Sequence, residues 1–439
     1  MKQELRGRYT GGGQAEERDG QQEKGAELRI WLEPEPLLRY LFPALRYCWI
    51  HPVAEQERKM SHDQHQQQQQ QHPLTVPPVQ PGSTSSVDAN SPRSIIEADS
   101  DDAQSDSCST KSVRESIFDY IKENGRTYHR YAPGSYLFPN DEPETERLDL
   151  QYEILKVLFG MRNHFAPLHD PKKILDIGTG TGKWAIEIGS EYPDAQVTGT
   201  DLSPIQPEWV PENVQFVIDD AQEDDWLIKP NSYDYIHTRV LLGCFEDFRE
   251  VIKKSYRYLK PGGWMESQEF YTTLYCDDGT MEPDYPFAEW TRTQDAAAMN
   301  LGRPLRIANK LKRWYEQQGF VDVHEEVFKL PVNPWAKDPQ LKMLGRFSES
   351  SLLEGIQAFS LAWFHRGLGW TKDEIEVYLV QVRKAISDRS IHAYHKVYVV
   401  WGRKPEAWEV EAREKAKQAG DAAAAQPLQA EASTSAAAV

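Results

Sequence analysis

The stretch KKILDIGTGTGKWAIEIG, residues 172–189, changes character halfway along. Its first part, Ile174-Leu175-Asp176-Ile177, is an apolar run broken by one carboxylate. Three glycines follow at alternate positions, Gly178, Gly180 and Gly182, and after them apolar residues recur at helical spacing. A buried strand, a tight turn and a helix, in that order, form the nucleotide-holding unit of open α/β sheets.

The loop reads G-x-G-x-G. The third glycine comes one residue too early for the dinucleotide pattern G-x-G-x-x-G. A glycine turn lets a ligand approach backbone that carries no Cβ, and the helix behind it offers free N–H groups to an anion. In a dehydrogenase that anion is a pyrophosphate. S-adenosylmethionine instead offers an amino-acid carboxylate, with an ammonium and a sulfonium beside it. Asp176, two residues before the first glycine, suits that cationic end.

Downstream segments extend the pattern. AQVTGTDLS, 195–203, alternates like a strand and ends at Asp201, a carboxylate able to accept from both hydroxyls of a ribose. VQFVIDDAQ, 214–222, reads as a third strand ending in Asp219-Asp220-Ala221. Asp220 is read as an acceptor for an adenine amine, and Asp219 as the start of a solvated acidic loop. YDYIHTRVL, 233–241, reads as a fourth strand. A helix with apolar face Phe245, Phe248, Ile252, Tyr256 and Leu259 follows, stopped by Pro261-Gly262-Gly263 ahead of a fifth strand, Trp264 to Phe270. Two late strands fall within 317–332 and 392–403. Before the second, Thr371 and Glu374 have the spacing of a capping box, opening a helix with apolar face Ile375, Tyr378, Leu379, Val382 and Ile386. Alternating strands and helices imply a parallel sheet with right-handed crossovers, its ligand outside the carboxyl ends of the strands.

The ends of the chain have a different composition. Residues 1–107 mix charge, Gln, Ser and Pro, including the run Gln66 to Gln71, and read as a disordered leader. Met60 opens its more ordinary part, so 1–59 reads as an upstream extension. Residues 108–405 form the folded domain, and 406–439 a tail that is first charged and helical, then Ala-rich. No stretch approaches the length of a membrane span. A net charge of -18 argues against nucleic-acid binding through a basic face. The four cysteines lack metal-ligand spacing, so no metal is expected and a reducing compartment, cytoplasm or nucleus, is the default.

The text YLFPNDEPETERLDLQY, ILDIGTGTGKWAIEIG, VTGTDLSPIQPEWVPENVQFVIDDAQEDDW, LKPGGWMESQEF and DRSIHAYHKVYVVWGRKP resembles a class I S-adenosylmethionine-dependent methyltransferase. It is similar to the fungal family that includes the velvet-associated regulator of secondary metabolism and related pathway methyltransferases. The resemblance covers about 125–404. It implies a Rossmann-like seven-stranded α/β sheet with a cofactor half at about 172–270 and helical caps at about 271–312 and 334–388. It implies S-adenosylmethionine as cofactor, held by Asp176, Gly178, Gly180, Gly182, Asp201, Asp220 and Ala221. It implies a small-molecule acceptor in, or regulating, fungal secondary metabolism. The alternative is a nuclear regulatory protein of the same fold acting through protein partners. Two positions depart from the family: Tyr152, commonly His, and Lys183, commonly apolar. Both bear on how the N-terminal segment closes over the site.

Methyl transfer draws most of its acceleration from positioning, and needs a base only when the acceptor must lose a proton. His237, at the end of the fourth strand, is the best base candidate; in the alternative, favoured reading, it and Arg239 fix the loop by hydrogen bonds. Glu266 and Glu269 are weaker candidates, because strand-end carboxylates are often solvated. His129 and Tyr131 can close over the cofactor or simply pack. Hydride chemistry lacks its pair: the one Tyr-x-x-x-Lys, Tyr152 to Lys156, precedes the glycine loop. The insertion aromatics Trp335, Phe347, Phe359, Trp363, Phe364 and Trp370 suit a flat apolar metabolite or the insertion's own core. Trp363 and Phe364 are adjacent in a helical pattern and cannot share a face, so at most one is expected in that core.

Overall fold

The structure is a computed structural model, and it describes residues 120–123, 125–129, 137–226 and 228–424, with backbone alone for 419–424. The expected disordered leader, Tyr131 and the end of the Ala-rich tail lie outside the described residues.

A short hairpin, β1 (Ile121–Glu123) and β2 (Arg126–Tyr128), precedes helix α1 (Glu142–Leu158). Strand β3 (Lys173–Ile177), helix α2 (Lys183–Glu191), β4 (Gln196–Asp201), β5 (Val214–Ile218) and β6 (Tyr233–Arg239) follow. Helix α3 (Phe248–Tyr258) leads into β7 (Leu259–Tyr275). Then come α4 (Pro286–Asn300), α5 (Leu311–Gln318), β8 (Val321–Pro331), α6 (Pro339–Gly355), α7 (Ala358–Leu368), α8 (Lys372–Ile386), β9 (Tyr394–Arg403) and α9 (Ala407–Ala424).

The main sheet has seven strands in the order β5-β4-β3-β6-β7-β9-β8. Pairing is parallel from β5 to β7. It is antiparallel between β7 and β9 and between β8 and β9. The chain leaves β3 toward β4 on one side and returns to β6 on the other, so the strand order reverses at β3. Ligands of open α/β sheets bind at that point, outside the carboxyl ends.

Strand periodicity explains the two faces. Side chains alternate across a strand. Ile174, Tyr235 and Val399 enter one core with Trp184 and Ile188 of α2. Their neighbours Leu175, Ile236 and Val400 enter the opposite core with Phe248, Val251 and Ile252 of α3. A third core joins α4, α7 and α8 as a lid. The capping box of α8 is present: Thr371 Oγ1 accepts from the Glu374 N–H, and the Thr371 N–H donates to Glu374.

Three expectations need correction. The backbone is already extended at Leu259, so β7 begins before Pro261-Gly262-Gly263 and runs through them. Phe245 lies ahead of α3 rather than on it, and the buried face is Phe248, Val251, Ile252, Ser255 and Tyr258. Trp363 and Phe364 are both 0% exposed. Helix α7 is enclosed on more than one side. Trp363 meets Phe138 at 5.5 Å between ring centroids, and Phe364 meets Trp370 at 5.3 Å and Tyr378 of α8 at 6.2 Å. From Ala358 to Phe364 every position is buried or half-buried, so adjacent residues on different faces both enter the core; only the last turn, at His365 and Arg366, reaches solvent.

The expected boundary at 405 cuts a contact. Arg403 of β9 donates to both carboxylate oxygens of Glu409 in α9, at 2.7 and 2.9 Å. The first turn of the charged tail is thereby tied to the sheet.

Candidate active site

The glycine loop joins β3 to α2, and all three glycines have positive φ: +68° at Gly178, +57° at Gly180 and +79° at Gly182. They do different work. A Cβ on Gly178 would stand 2.3 Å from Leu241 Cδ2, and one on Gly182 2.3 Å from Phe216 Cζ. These two glycines admit neighbouring side chains. A Cβ on Gly180 would meet nothing within 4 Å. Gly180 faces an open cleft of about 1030 Å³, its mouth included.

Strand register assembles the polar wall. Parallel pairing sets Asp176 of β3 opposite His237 of β6. Asp176 Oδ1 is 2.8 Å from His237 Nδ1, and its Oδ2 accepts from the Thr179 hydroxyl at 2.6 Å. The carboxylate therefore fixes both the histidine and the start of the loop. Asp201, at the end of β4, accepts from the Gly180 N–H at 2.8 Å and the Ser203 N–H at 2.9 Å. Burial pushes its carboxyl up to about 6, against the pull of those backbone donors. Gln206 completes the clamp, donating to the Gly180 carbonyl at 2.7 Å and the Ser203 carbonyl at 2.9 Å. Asp220 is 9% exposed and accepts from the Gln222 N–H; Asp219 and Ala221 line the cleft beside it. Asp219, read as solvated, thus belongs to the wall.

The His237 ring is wholly buried and stacks on Trp184 with centroids 3.7 Å apart and planes 6° from parallel. Burial lowers its pKa despite Asp176, so it is neutral near pH 7. A carboxylate can only accept, which puts the proton on Nδ1 and leaves Nε2 with a lone pair. Nε2 has no partner among the described residues. Arg239 lines the same cleft; its Nε donates to Gln268, its guanidinium lies 5.2 Å from the centre of the Tyr152 ring, and its Nη1 is buried without a partner among the described residues.

The profile of a family described as Methyltransferase domain matches residues 150–325. Methyltransferase pytC of Aspergillus terreus is 40% identical over 321 residues, 72% of this chain and 98% of its own length. Secondary metabolism regulator LAE1 of Cochliobolus heterostrophus is 35% identical over 65% of this chain and 94% of its own. Secondary metabolism regulator laeA of Aspergillus niger is 33% identical over 65% of this chain and 76% of its own.

The chain belongs to this fungal methyltransferase family. It is an S-adenosylmethionine-dependent methyltransferase of class I, and the seven-stranded sheet is that of its class. The two departures from the family's pattern both line the cleft. Tyr152 of α1 lines it, and Lys183 at the start of α2 pairs with Asp149 and Glu153 of α1 at 3.3 and 3.6 Å. The Lys183 pairs tie the start of α2 to α1.

The carboxylates Glu266 and Glu269 are neither solvated nor in the cleft. Glu266 is 0% exposed and accepts from the Phe165 and Ala166 N–H groups at 2.8 and 2.9 Å. Glu269 accepts from the Leu241 N–H and the Leu242 N–H. Each fixes a loop. His129 is buried. Sequence reasoning missed Trp184 and the α1 residues Leu148 and Gln151 as parts of the wall, and Gln206 as the clamp on the glycine loop. Trp184 directly follows the loop and Gln206 sits in a quoted motif. The α1 residues carry no local signal, because the chain brings them in from about 30 positions upstream.

Proposed function

We propose that this methyltransferase binds S-adenosylmethionine in the cleft beside Gly180 and methylates a small organic acceptor in fungal secondary metabolism. The observation that carries the reading is the convergence of Gly180, Asp201, Asp220 and His237 on one cleft at the sheet's topological switch point. The groups present fit the cofactor. Gly180 leaves space where any other residue would place a Cβ. The unpartnered Arg239 Nη1 and the N–H groups opening α2 suit an amino-acid carboxylate. Asp176 suits the neighbouring ammonium. Asp201 supplies acceptors for ribose hydroxyls, and Asp220 with Ala221 forms the adenine end.

When bound, the cofactor supplies a methyl group on an electrophilic sulfonium. The chain's own residues supply position and a proton acceptor. Asp176 orients His237 through Nδ1, Trp184 holds the ring plane, and neutral Nε2 can take a proton from the acceptor. The longer and higher match to a protein named as a methyltransferase than to those named as regulators supports an enzymatic role.

Calorimetric titration with S-adenosylmethionine, followed by mass spectrometry of fungal extracts incubated with protein and cofactor, tests the reading. Saturable binding and one mass gain of a methyl group are expected. His237→Gln should lower turnover by roughly 10²–10⁴-fold with cofactor affinity unchanged. A chain that does not bind the cofactor overturns the proposal.

A further inference from the structure

A second cavity of about 1000 Å³ lies against the first. Leu148 and Gln151 of α1 and Val240, just past β6, line both. Most of its remaining wall is apolar, with Phe270, Trp290, Leu305 and Phe359 among the larger side chains.

We infer that this second cavity is the methyl-acceptor site, and that it selects a neutral, largely apolar molecule the size of a fused ring system. The inference rests on the cofactor reading above and adds the acceptor's location and chemical class. Continuity through three shared wall residues brings a molecule seated there to the edge of the cofactor cleft. Its charge preference follows from the titratable groups in the wall, which are Glu144, Arg147 and His395. Arg147 donates to both oxygens of Glu144, at 2.7 and 3.0 Å, and the two residues are 4% and 2% exposed. The Arg147 guanidinium also lies 4.7 Å from the centre of the Phe359 ring. This pair is internally complete and offers no free charge. Burial holds His395 neutral, with its pKa down at about 4. A charged side chain or a phosphate entering here would lose its water without gaining a counter-ion, a large cost. A neutral ring system loses little and gains apolar contact. Uncharged polar groups in the wall are left for it, among them the Gln151 amide, the Ser351 hydroxyl and the Thr272 hydroxyl, the last buried with no partner among the described residues.

Three probes sharing one ring system test this on the full chain: 2-naphthol, 2-naphthoate and 2-naphthylmethylammonium. We expect saturable 2-naphthol binding, with both ions weaker by about tenfold or more. Ser351→Leu fills part of the cavity and should weaken 2-naphthol by about tenfold, with cofactor affinity within about twofold of the parent. Thr272→Val keeps the shape and removes the hydroxyl; it should weaken 2-naphthol about three- to tenfold without lowering the melting temperature. Equal binding of the ions, 2-naphthol binding that neither variant changes, no saturable binding of 2-naphthol, or transfer of methyl to a lysine-rich peptide would each overturn the inference. Cofactor titration of the same samples separates the failures. Loss of cofactor binding in the parent chain unseats the earlier reading, whereas normal cofactor binding beside an empty second cavity unseats this one alone.

Discussion

The two cavities share a wall at Leu148, Gln151 and Val240, yet they are built by opposite means. The first cavity sets the glycine loop and the carboxylates at the ends of β3, β4 and β5 among apolar side chains such as Leu155, Trp184 and Leu241. Its parts hold one another directly: Asp176 to His237, Asp201 to Gly180, Gln206 to both flanking loops. The second cavity is made of side chains drawn from α1, α4, α6, α7 and the strands β7, β8 and β9, with the Glu144–Arg147 pair closed on itself. A binding site for a fixed ligand can be written into strand ends. The second site depends instead on how helices α1, α4, α6 and α7 pack over strands β7, β8 and β9.

The largest effects should fall in the lid. Trp363→Ala and Phe364→Ala should each cost about 3–5 kcal/mol, because both side chains are wholly buried. Neither residue lines either of these two cavities, so cofactor affinity of the folded fraction should not move. Thermal melts and calorimetry on both variants check this. A variant that keeps its melting temperature but loses turnover would show that the lid core and the acceptor wall are not separate.

Within the cleft, the glycines should divide. Gly182→Val meets Phe216 and a left-handed backbone, for a loss of roughly 3 kcal/mol or more in a denaturant titration. Gly180→Ala meets open space, so its cost to folding should be only about 1–2 kcal/mol from the backbone, while cofactor binding falls. Equal effects from the two would erase the distinction between a packing glycine and a ligand-facing one.

Asp201→Ala should weaken S-adenosylmethionine by roughly ten- to a hundredfold in calorimetry, the loss of one or more charge-assisted hydrogen bonds. The ionised carboxylate is the acceptor, and its pKa stands at about 6. Affinity should therefore decline as pH falls through about 6, and Asp201→Asn should lack that acid limb.

A last effect concerns the wall between the cavities. Glu269 holds the N–H groups of Leu241, which lines the first cavity, and Leu242, which lines the second. Burial pushes its carboxyl up to about 8. A group protonated more readily in the folded chain stabilises it fully below its unfolded pKa, near 4.3, and that contribution is lost as pH rises through about 8. Glu269→Gln should flatten this part of the stability–pH curve, measured by denaturant titration across that range. An unchanged slope would assign the dependence to another group.

Residues 172–189 determined the sheet's first strand, its glycine turn and its helix by themselves, because a short apolar run giving way to a period of 3.6 across alternate glycines has few other solutions. Asp201, Asp220 and His237 were legible as cleft residues because each lies at or near the carboxyl end of a strand, and those ends converge in a parallel sheet. Tertiary structure decided the rest. Only the β3–β6 register turned His237 and Asp176 into a pair. Only the burial of Glu266 and Glu269 showed that they hold loops and do not face solvent. Only the enclosure of α7 put both Trp363 and Phe364 in a core. Local periodicity reports which face of one element is apolar. How many neighbours cover that element, and from how many sides, depends on residues distant in the chain, and that is where the second cavity resides.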